Sequence, residues 1–510
     1  MRRRTNQRLH ILATYPPGAE AREWLEEDDS RGGVGGTVLL NQALGLAFRQ
    51  NEVDFVIPNL SEDLRLYVDP YLFYKSRNPS YQAVHATIRQ FFDRAVGAVN
   101  SGGPAIAERM MDFPEVNATM LGLSKGQHRG RGLGKERSQI IYRELVSNPD
   151  ILERGIGHLA EMQLLVDGVG FDMVSDMCTN IAKPWFVDYT QRQCRLHGIP
   201  LESGVRVEHV FDWEELAWDD EHADLPVHPG KGTPILLVPR SVVRTFADID
   251  YRDFWDTTYR YILRDIEVQR SLQAIGRAPK ITWKEINEKY NFCKTTVVRV
   301  LHEAPDLKRT YLAEKDRRTD EIAAPVDLRT VSGADTETTP VEAYVAELAA
   351  IRPGNADAKK YEALMLRILT RLFCPPLLDP HEQVSSHDGR EIIDLTFHNA
   401  AADGFWRDMK LAHGATVVMA ELKNMTTLSN DEVFQTAARL NDVKGKFGVL
   451  IARASSTLDR QRAYRRLYLE RKVVMILTDD DVVDLLRTME SGGSPTHKLA
   501  ERYRSFMEEA

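Results

Sequence analysis

Cysteine is scarce in this sequence, whose 510 residues contain only Cys178, Cys194, Cys293 and Cys374 and no Cys-x-x-Cys pair. This spacing argues against a disulfide framework and against a cysteine-ligated zinc site, and it suits a reducing compartment. The chain also lacks an apolar run near the roughly 18 residues that a membrane span requires. Its basic start has no apolar signal-peptide core. We therefore expect a cytoplasmic protein without a membrane partner.

The sequence also lacks an excess of positive charge, because its formal net charge is −9 at pH 7. A nucleic-acid partner would have to be held by local basic patches rather than by the whole surface. Hydrophobic residues form 43% and charged residues 28% of the chain, as in globular proteins generally. A chain of this length is too long for one ordinary core. We expect an α/β multidomain protein.

Changes in residue pattern along the chain predict four segments. Residues 1–250 mix short strand-like runs such as RLYVDPYLFY with helical stretches, which indicates an α/β domain that senses or grips a target. Residues 251–315 are helical in pattern, 316–341 are polar and predict a linker, and 342–510 alternate helix and strand as in a compact C-terminal domain.

The strongest indication of a reactive site lies at the end of the strand-like run GATVVMAELKNM, residues 414–425. Alternate residues of a strand share a face, so Glu421 and Lys423 point the same way. Upstream, REIIDLTFHN predicts another strand, with Asp394 after two isoleucines. Adjacent strands could bring Asp394 close to Glu421, and carboxylates that close repel unless a cation lies between them. We therefore predict a Mg²⁺ or Mn²⁺ site at these two carboxylates, with Lys423 beside the attacking water.

These residues resemble the catalytic motif of a known superfamily. Asp394 followed by Glu421-Leu422-Lys423 is similar to the D…(D/E)-x-K pattern of the PD-(D/E)XK, or restriction-endonuclease-like, nucleases. The resemblance covers roughly residues 341–490. It implies a mixed sheet flanked by helices, and hydrolysis of phosphodiester bonds by a metal-activated water.

Two neighbouring stretches are similar to the Mrr-like branch of that superfamily. KKYEALMLRILTRLF, before the first strand, carries Glu362, and DEVFQTAARLND, after the second, carries Gln435. GKFGVLIARA resembles the next core strand of such domains. The catalytic residues implied by the resemblance are Asp394, Glu421, Lys423, Gln435 and Glu362.

Two basic segments predict contacts with a nucleic-acid backbone. One interleaves arginines with tyrosines on a helical pattern, which also suits a solvated helix with its tyrosines turned to the core. The other combines glycines with cations that could wrap a phosphate, the alternative being a mobile basic surface loop. The residues assigned to nucleic-acid binding are Arg462, Arg465 and Arg466 in the helix, and Lys125, Arg129, Arg131 and Lys135 in the glycine-rich segment.

The segment ITWKEINEKYNFCKTTVVRVLHEA has the pattern of a helix-turn-helix. Its second helix would bury Val297, Val298 and Leu301, and its TTVVRVL portion resembles a LacI-type reader helix. A purely structural helical hairpin is the alternative. The residues left outward for the major groove are Lys294, Thr295 and Arg299.

The combined interpretation is a metal-dependent endonuclease that acts on DNA. The resemblance to restriction systems implies a setting in bacterial defence against phage or other foreign DNA. Such nucleases often act as dimers, so a homo-oligomer is expected. One alternative is a non-catalytic DNA-binding regulator that retains the nuclease fold as a scaffold. The other is an RNA nuclease that a ligand activates at the N-terminal domain.

Overall fold

The structure, a computed structural model, describes residues 37–122, 132–246, 249–275, 277–290, 292–317, 326–386, 391–455 and 460–509. These ranges form a mixed α/β protein, which confirms the predicted class. Every helix within them is too short or too polar to span a bilayer.

The N-terminal and middle parts are mainly helical. Their two small sheets are antiparallel and pair β1 (Tyr67–Val68) with β4 (Val243–Arg244), and β2 (Glu202–Asp212) with β3 (Ala217–Leu225). Their α-helices are α1 (Leu40–Ala43), α2 (Pro70–Lys75), α3 (Pro79–Asn100), α4 (Pro104–Met110), α5 (Gly132–Ser147), α6 (Pro149–Arg154), α7 (Met162–Leu165), α8 (Phe171–Ile181), α9 (Lys183–His197), α10 (Tyr251–Phe254), α11 (Arg260–Ile275), α12 (Trp283–Lys289), α13 (Lys294–Glu303) and α14 (Pro305–Arg317).

The run RLYVDPYLFY is not the single strand that its apolar character predicts. Only Tyr67 and Val68 pair as a strand. Asp69 then begins α2, because its carboxylate accepts a hydrogen bond from the Tyr71 backbone N–H. Pro70 occupies the first helical position, where its fixed φ favours a helix. Local capping therefore overrides the strand-like composition.

The C-terminal part contains a five-stranded mixed sheet flanked by helices. The strands lie side by side in the order β5 (Leu377–Ser386), β6 (Glu391–Asn399), β7 (Val417–Lys423), β8 (Phe447–Ala452) and β9 (Val473–Thr478). The pairs β5–β6 and β6–β7 are antiparallel, and β7–β8 and β8–β9 are parallel. The helices of this part are α15 (Val341–Ala350), α16 (Ala358–Phe373), α17 (Gly404–His413), α18 (Asn430–Ala438), α19 (Arg460–Leu469), α20 (Asp479–Glu490) and α21 (Pro495–Glu509).

Separate apolar cores lie under these parts. Every residue of β8 is buried, as expected for a parallel strand covered on both faces, and its core extends from Val341 to Phe506. The middle helices share a core with Tyr71 and Leu164 of the N-terminal part. Val331, from the segment predicted as a linker, is buried in the main N-terminal core. The predicted domain boundaries stay predictions.

Asp54 is a buried carboxyl group between the N-terminal part and β5. Its Oδ2 accepts hydrogen bonds from the Tyr189 hydroxyl at 3.2 Å and from the Asp379 backbone N–H at 3.3 Å. Burial raises the pKa of Asp54 from 3.8 to about 7, opposed by the charge of Arg240 and reinforced by that of Asp379. The folded chain therefore holds a proton on Asp54 at pH values where the unfolded chain has lost it.

We expect the contribution of Asp54 to stability to fall as pH rises from about 4 to about 7. Within that window the folded state binds the extra proton, and above it the folded state must bury a charge. Asp54→Asn removes this titration, so its stability relative to the native chain should rise between about pH 4 and about pH 7, by at most roughly 4 kcal/mol, and its relative melting temperature should rise with it. A melting-temperature difference that is constant with pH would contradict the assignment.

Candidate active site

Asp394 and Glu421 lie opposite each other on neighbouring antiparallel strands. The register of β6 with β7 pairs Leu395 with Ala420, and the next position places Asp394 opposite Glu421. The Asp394 carboxylate also accepts a 2.8 Å hydrogen bond from the backbone N–H of Leu422. Opposite residues of an antiparallel pair direct their side chains to the same face. The structure thus brings the two carboxyl groups together at one end of the sheet.

The Glu421 carboxylate is held by two cationic side chains. It is only 4% exposed. Its Oε1 accepts a 2.7 Å hydrogen bond from the Lys423 ammonium, and its Oε2 accepts one from the Arg439 guanidinium. Burial, and then the charge of Asp394, raise the pKa of Glu421, while Lys423 and Arg439 oppose the rise. Paired cations are what allow this carboxylate to remain in the core.

Two further carboxyl groups lie near Asp394. Glu362 projects from α16, and its pKa is raised by burial and then by the charges of Asp394 and Glu382. Burial raises the pKa of Glu382, a residue of β5. The charge of Lys359 opposes this rise, and the charge of Asp394 adds to it. The structure therefore places the predicted Glu362 at the site and adds Glu382, which the sequence analysis did not identify.

Gln435 is exposed on α18, the helix that follows β7. Arg439 lies four residues further on, at the C-terminal cap of the same helix. Residues four apart on a helix share a face. Because Arg439 reaches Glu421, Gln435 lies on the face of α18 that borders the site. The resemblance to the Mrr-like branch marks Gln435 as a site residue and assigns no role to Arg439.

The end of β7 is fixed by the residue after Lys423. The Asn424 side chain donates 2.8 Å hydrogen bonds to the carbonyls of Arg352 and Gly354. It also accepts a hydrogen bond from Arg453, whose guanidinium makes a 2.6 Å ion pair with Asp479. These contacts tie the strand end to the segment before α16. They hold Glu421 and Lys423 in a defined position, as a reactive site requires.

The donor set suits a hard divalent cation only in part. Asp394 and Glu421 supply carboxylate oxygens, and their repulsion, seen in the raised pKa of Glu421, is of the kind that a cation relieves. Both oxygens of Glu421, however, are bonded to Lys423 and Arg439. Within the described residues, no group of three or more His, Cys, Asp or Glu side chains is suited to hold a metal ion. The two-carboxylate Mg²⁺ or Mn²⁺ site stays a prediction, and it requires these ion pairs to open.

Arg465 and Arg466 are exposed on α19, which packs against α18. The guanidinium of Arg466 lies 4.3 Å from the ring centroid of Phe434, a residue of α18. This contact holds a cation beside the helix that carries Gln435 and Arg439. Arginines of α19 therefore lie next to α18, whose own first turn carries Asp431 and Glu432. Of the other predicted phosphate contacts, Lys125, Arg129 and Arg131 lie outside the described residues, and Lys135 and Arg462 are described by their backbone alone.

The predicted reader helix packs against the N-terminal part. The Lys294 ammonium donates a hydrogen bond to the Val169 carbonyl, and burial lowers the pKa of Lys294 to about 8. The Thr295 hydroxyl donates a 2.8 Å hydrogen bond to Asp167. Arg299 is exposed. Lys294 and Thr295, both assigned to the major groove, are thus engaged in internal contacts.

The buried face of that helix differs by one position from the prediction. Val297, Val300 and Leu301 are buried, whereas Val298 is only half-buried. The apolar stripe continues at three-residue spacing from Val297 to Val300, as an amphipathic helix requires. The helical hairpin itself is present as α12 and α13.

A cavity of about 610 Å³ lies in the N-terminal part, beside β2. Its lining includes Val116 and Val207 as well as the charged Glu62, Lys183 and Arg206. The Lys183 ammonium is buried and donates hydrogen bonds to the Asn180 side chain and to two backbone carbonyls of β2. Small-molecule sites commonly enclose about 300–1,000 Å³. The cavity has the size of such a site.

Comparison with known proteins identifies the N-terminal part alone. A family model described as a domain of unknown function, DUF8370, matches residues 45–250. No curated protein and no solved structure matches the chain. The chain is therefore similar, over residues 45–250, to a family whose function is undescribed.

Proposed function

We propose that the chain is a Mg²⁺-dependent nuclease that hydrolyses phosphodiester bonds in DNA. The observation that carries the proposal is the placement of Asp394 opposite Glu421, with Lys423 bonded to Glu421 at the same strand end. Burying the Glu421 carboxyl group beside a second, partly buried carboxyl group and an ammonium is costly, and a sheet core does not need them. Ionisable groups with perturbed pKa values cluster at functional sites.

The order of the C-terminal elements supports the same proposal. Helix α16, with Glu362, precedes the strands that carry Asp394 and Glu421, and α18, with Gln435, follows them. Strand β8 then lies parallel to β7. This order agrees with the resemblance to PD-(D/E)XK nucleases of the Mrr-like branch. Fold likeness is analogy, so the site residues carry the functional argument.

In the proposed reaction, Asp394 and Glu421 hold the divalent cation. When bound, the cation supplies Lewis-acid stabilisation of the phosphate and makes a water molecule more acidic. Lys423 orients the attacking water and stabilises charge that develops on the phosphate. Glu362, whose pKa is raised by burial, would accept the proton that the attacking water loses, while the phosphodiester P–O bond breaks and the leaving oxygen takes a proton from solvent. Gln435 supports the nucleic-acid strand from the exposed face of α18.

DNA is the proposed substrate because cations continue away from the site. Arg465 and Arg466 lie on α19, next to the helix that borders the carboxyl groups. Phosphate contacts from arginine supply sequence-independent affinity for a polynucleotide. Defence against foreign DNA in a bacterial cell, with the chain acting as a homo-oligomer, is the setting that the nuclease resemblance implies.

The direct test is cleavage of plasmid DNA with Mg²⁺ or Mn²⁺ by the native chain and by Lys423→Ala. We expect the variant to cut roughly 1,000-fold more slowly while it still binds DNA, because the charge on the phosphate loses its closest ammonium. Lys446→Ala is the matched control, since the Lys423 and Lys446 side chains are both 29% exposed and both are paired to a carboxylate. Equal cutting by both variants would remove Lys423 from the mechanism.

A ligand-activated RNA nuclease is the second candidate, and the N-terminal cavity of about 610 Å³ favours it. The same assay with RNA in place of plasmid separates the two substrates. DNA binding without cleavage of either nucleic acid, by the native chain with either metal, would instead favour a non-catalytic regulator.

A further inference from the structure

Arg439 occupies a position that the sequence motif does not assign. Its guanidinium bonds Oε2 of Glu421, while Oε1 is already bonded to Lys423. The Arg439 side chain is 18% exposed, so the contact is largely shielded from water. Charge-assisted hydrogen bonds of this kind are stronger than neutral ones. Oε2 of Glu421 is therefore firmly held by Arg439.

A divalent cation at Glu421 has to compete with this contact. Mg²⁺ and Mn²⁺ bind carboxylate oxygens. A guanidinium bonded to the same oxygen occupies the lone pairs that the metal would use, and its positive charge repels the metal cation. The repulsion is strong in a site that excludes water, because the local dielectric is low. Bound metal and the Arg439–Glu421 ion pair thus oppose each other.

We infer that Arg439 gates the metal site: it holds Glu421 in the free chain and moves to a phosphate when nucleic acid binds. This inference rests on the proposed function and adds a regulatory step to it. A phosphate is a suitable exchange partner, because the planar guanidinium bonds phosphate and carboxylate in the same two-point manner.

The position of Arg439 requires only a short movement of its side chain from Glu421 to a phosphate. It caps the C-terminus of α18, one turn after the exposed Gln435. Arg466 lies over Phe434 of the same helix. A nucleic-acid strand held by the arginines of α19 would place a phosphate beside the C-terminal end of α18, at the opposite end from its acidic first turn, within reach of a long, rotatable arginine side chain. Metal binding would then be weak until a polynucleotide is present.

A purely structural Arg439 makes a different prediction. If it only neutralised Glu421, removing it would raise Mn²⁺ affinity by the same factor with and without bound DNA, because a neighbouring cation is lost in both states. If it gates the site, removing it raises Mn²⁺ affinity only without DNA, because a bound phosphate has already drawn the native Arg439 away from Glu421. Mn²⁺ affinity measured with and without a DNA oligonucleotide therefore separates the two roles, and it does so without any measurement of cleavage.

The test is a Mn²⁺ titration of the full chain, with and without a DNA oligonucleotide, monitored by electron paramagnetic resonance. In the absence of DNA, we expect Arg439→Gln to bind Mn²⁺ about 10-fold more tightly than the native chain, the equivalent of one charge-assisted hydrogen bond. Arg487→Gln is the charge-matched control, because Arg487 pairs with Glu342 elsewhere in the C-terminal part. Arg439→Lys, which keeps the charge but loses the planar fork, should bind Mn²⁺ with intermediate affinity, and it serves if the glutamine variant does not fold.

The outcomes separate the gate from the proposed function. Glu421-dependent Mn²⁺ binding that is tighter in Arg439→Gln than in the native chain without DNA, and equal in the two once a DNA oligonucleotide is bound, supports the gate. Glu421-dependent binding that is no tighter in Arg439→Gln, or that is tighter by the same factor with and without DNA, overturns the gate alone. Absence of Mn²⁺ binding that depends on Glu421, in the native chain and in the variants, overturns both the gate and the metal-dependent nuclease.

Discussion

Asp394→Asn should abolish cleavage and, in the absence of metal, make the protein slightly more stable. The loss of activity follows because the cation would keep only one carboxylate ligand, which removes several kcal/mol of transition-state stabilisation, roughly a 1,000-fold slower reaction. The gain in stability follows because the charge of Asp394 raises the pKa values of Glu421, Glu362 and Glu382, each of which it repels. Removing one of several like charges relieves that repulsion.

The asparagine substitution is chosen to leave the strand pairing intact. Its side-chain oxygen can still accept the hydrogen bond that the Leu422 N–H now donates to Asp394. We therefore expect the melting temperature without metal to rise by about 1–3 °C, the equivalent of about 1 kcal/mol in a chain of this size. Added Mg²⁺ should stabilise the native chain and not the variant, because only a bound ligand shifts the folding equilibrium.

Thermal melts with and without Mg²⁺, alongside plasmid cleavage, check both halves of this prediction. Asp442→Asn is the matched control, since Asp442 is an exposed carboxylate paired with Lys446 and the substitution makes the same chemical change. The control should cut DNA normally and gain no stability. A destabilised Asp394→Asn that still cuts DNA would identify Asp394 as a structural capping group.

The buried strands of the C-terminal sheet were predictable because their apolar runs are continuous. GKFGVLIARA and VVMILT are present as β8 and β9, each bounded by polar residues. Period-two alternation alone was enough to place Glu421 and Lys423 on one face. The apolar residues of YQAVHATIRQFFDRAVGAV recur at three- and four-residue spacing, as a helix requires, and the stretch lies within α3.

Other parts of the site depend on tertiary packing, which local patterns do not encode. Arg439 is one turn beyond Gln435, but only the packing of α18 against β8 and β9 brings it into contact with Glu421. Glu382 lies in a strand interrupted by Pro380 and by Asp379, which has a φ of +51°. Proline and a left-handed residue conceal the alternation that marks a strand.

Glu52→Ala should be among the most destabilising single substitutions in the chain. Glu52 is fully buried, at 0% exposure. Its Oε1 accepts hydrogen bonds from the Tyr344 hydroxyl at 2.6 Å and from the Arg367 guanidinium at 2.9 Å. Its Oε2 accepts one of 3.1 Å from the Thr339 hydroxyl. Removing the carboxylate leaves two hydroxyls without this acceptor and leaves the largely buried Arg367 guanidinium with Glu347 as its remaining carboxylate partner, which costs about 3 kcal/mol.

This cluster joins the N-terminal part to the C-terminal part near the candidate site. Arg367 lies on α16, five residues after Glu362, so Glu52 positions the helix that borders the carboxyl groups. Calorimetry of Glu52→Ala should show a lower melting temperature, whereas Glu337→Ala, which removes an exposed partner of Arg49, should change stability by less than about 0.5 kcal/mol. Similar melting temperatures for both variants would show that the buried pair contributes no more than a surface one.

The weakened pairing of a largely buried charge, rather than the lost contact alone, is the expected source of the damage. If so, Glu52→Ala combined with Arg367→Met should recover part of the stability, because an apolar side chain of similar length removes a cation that keeps only the more exposed Glu347 as its partner. The double variant is compared with both single variants in a thermodynamic cycle, in which residues in direct contact couple by about 0.5–3 kcal/mol. Additive losses would mean that Glu52 and Arg367 stabilise the junction independently, each through its own neighbours.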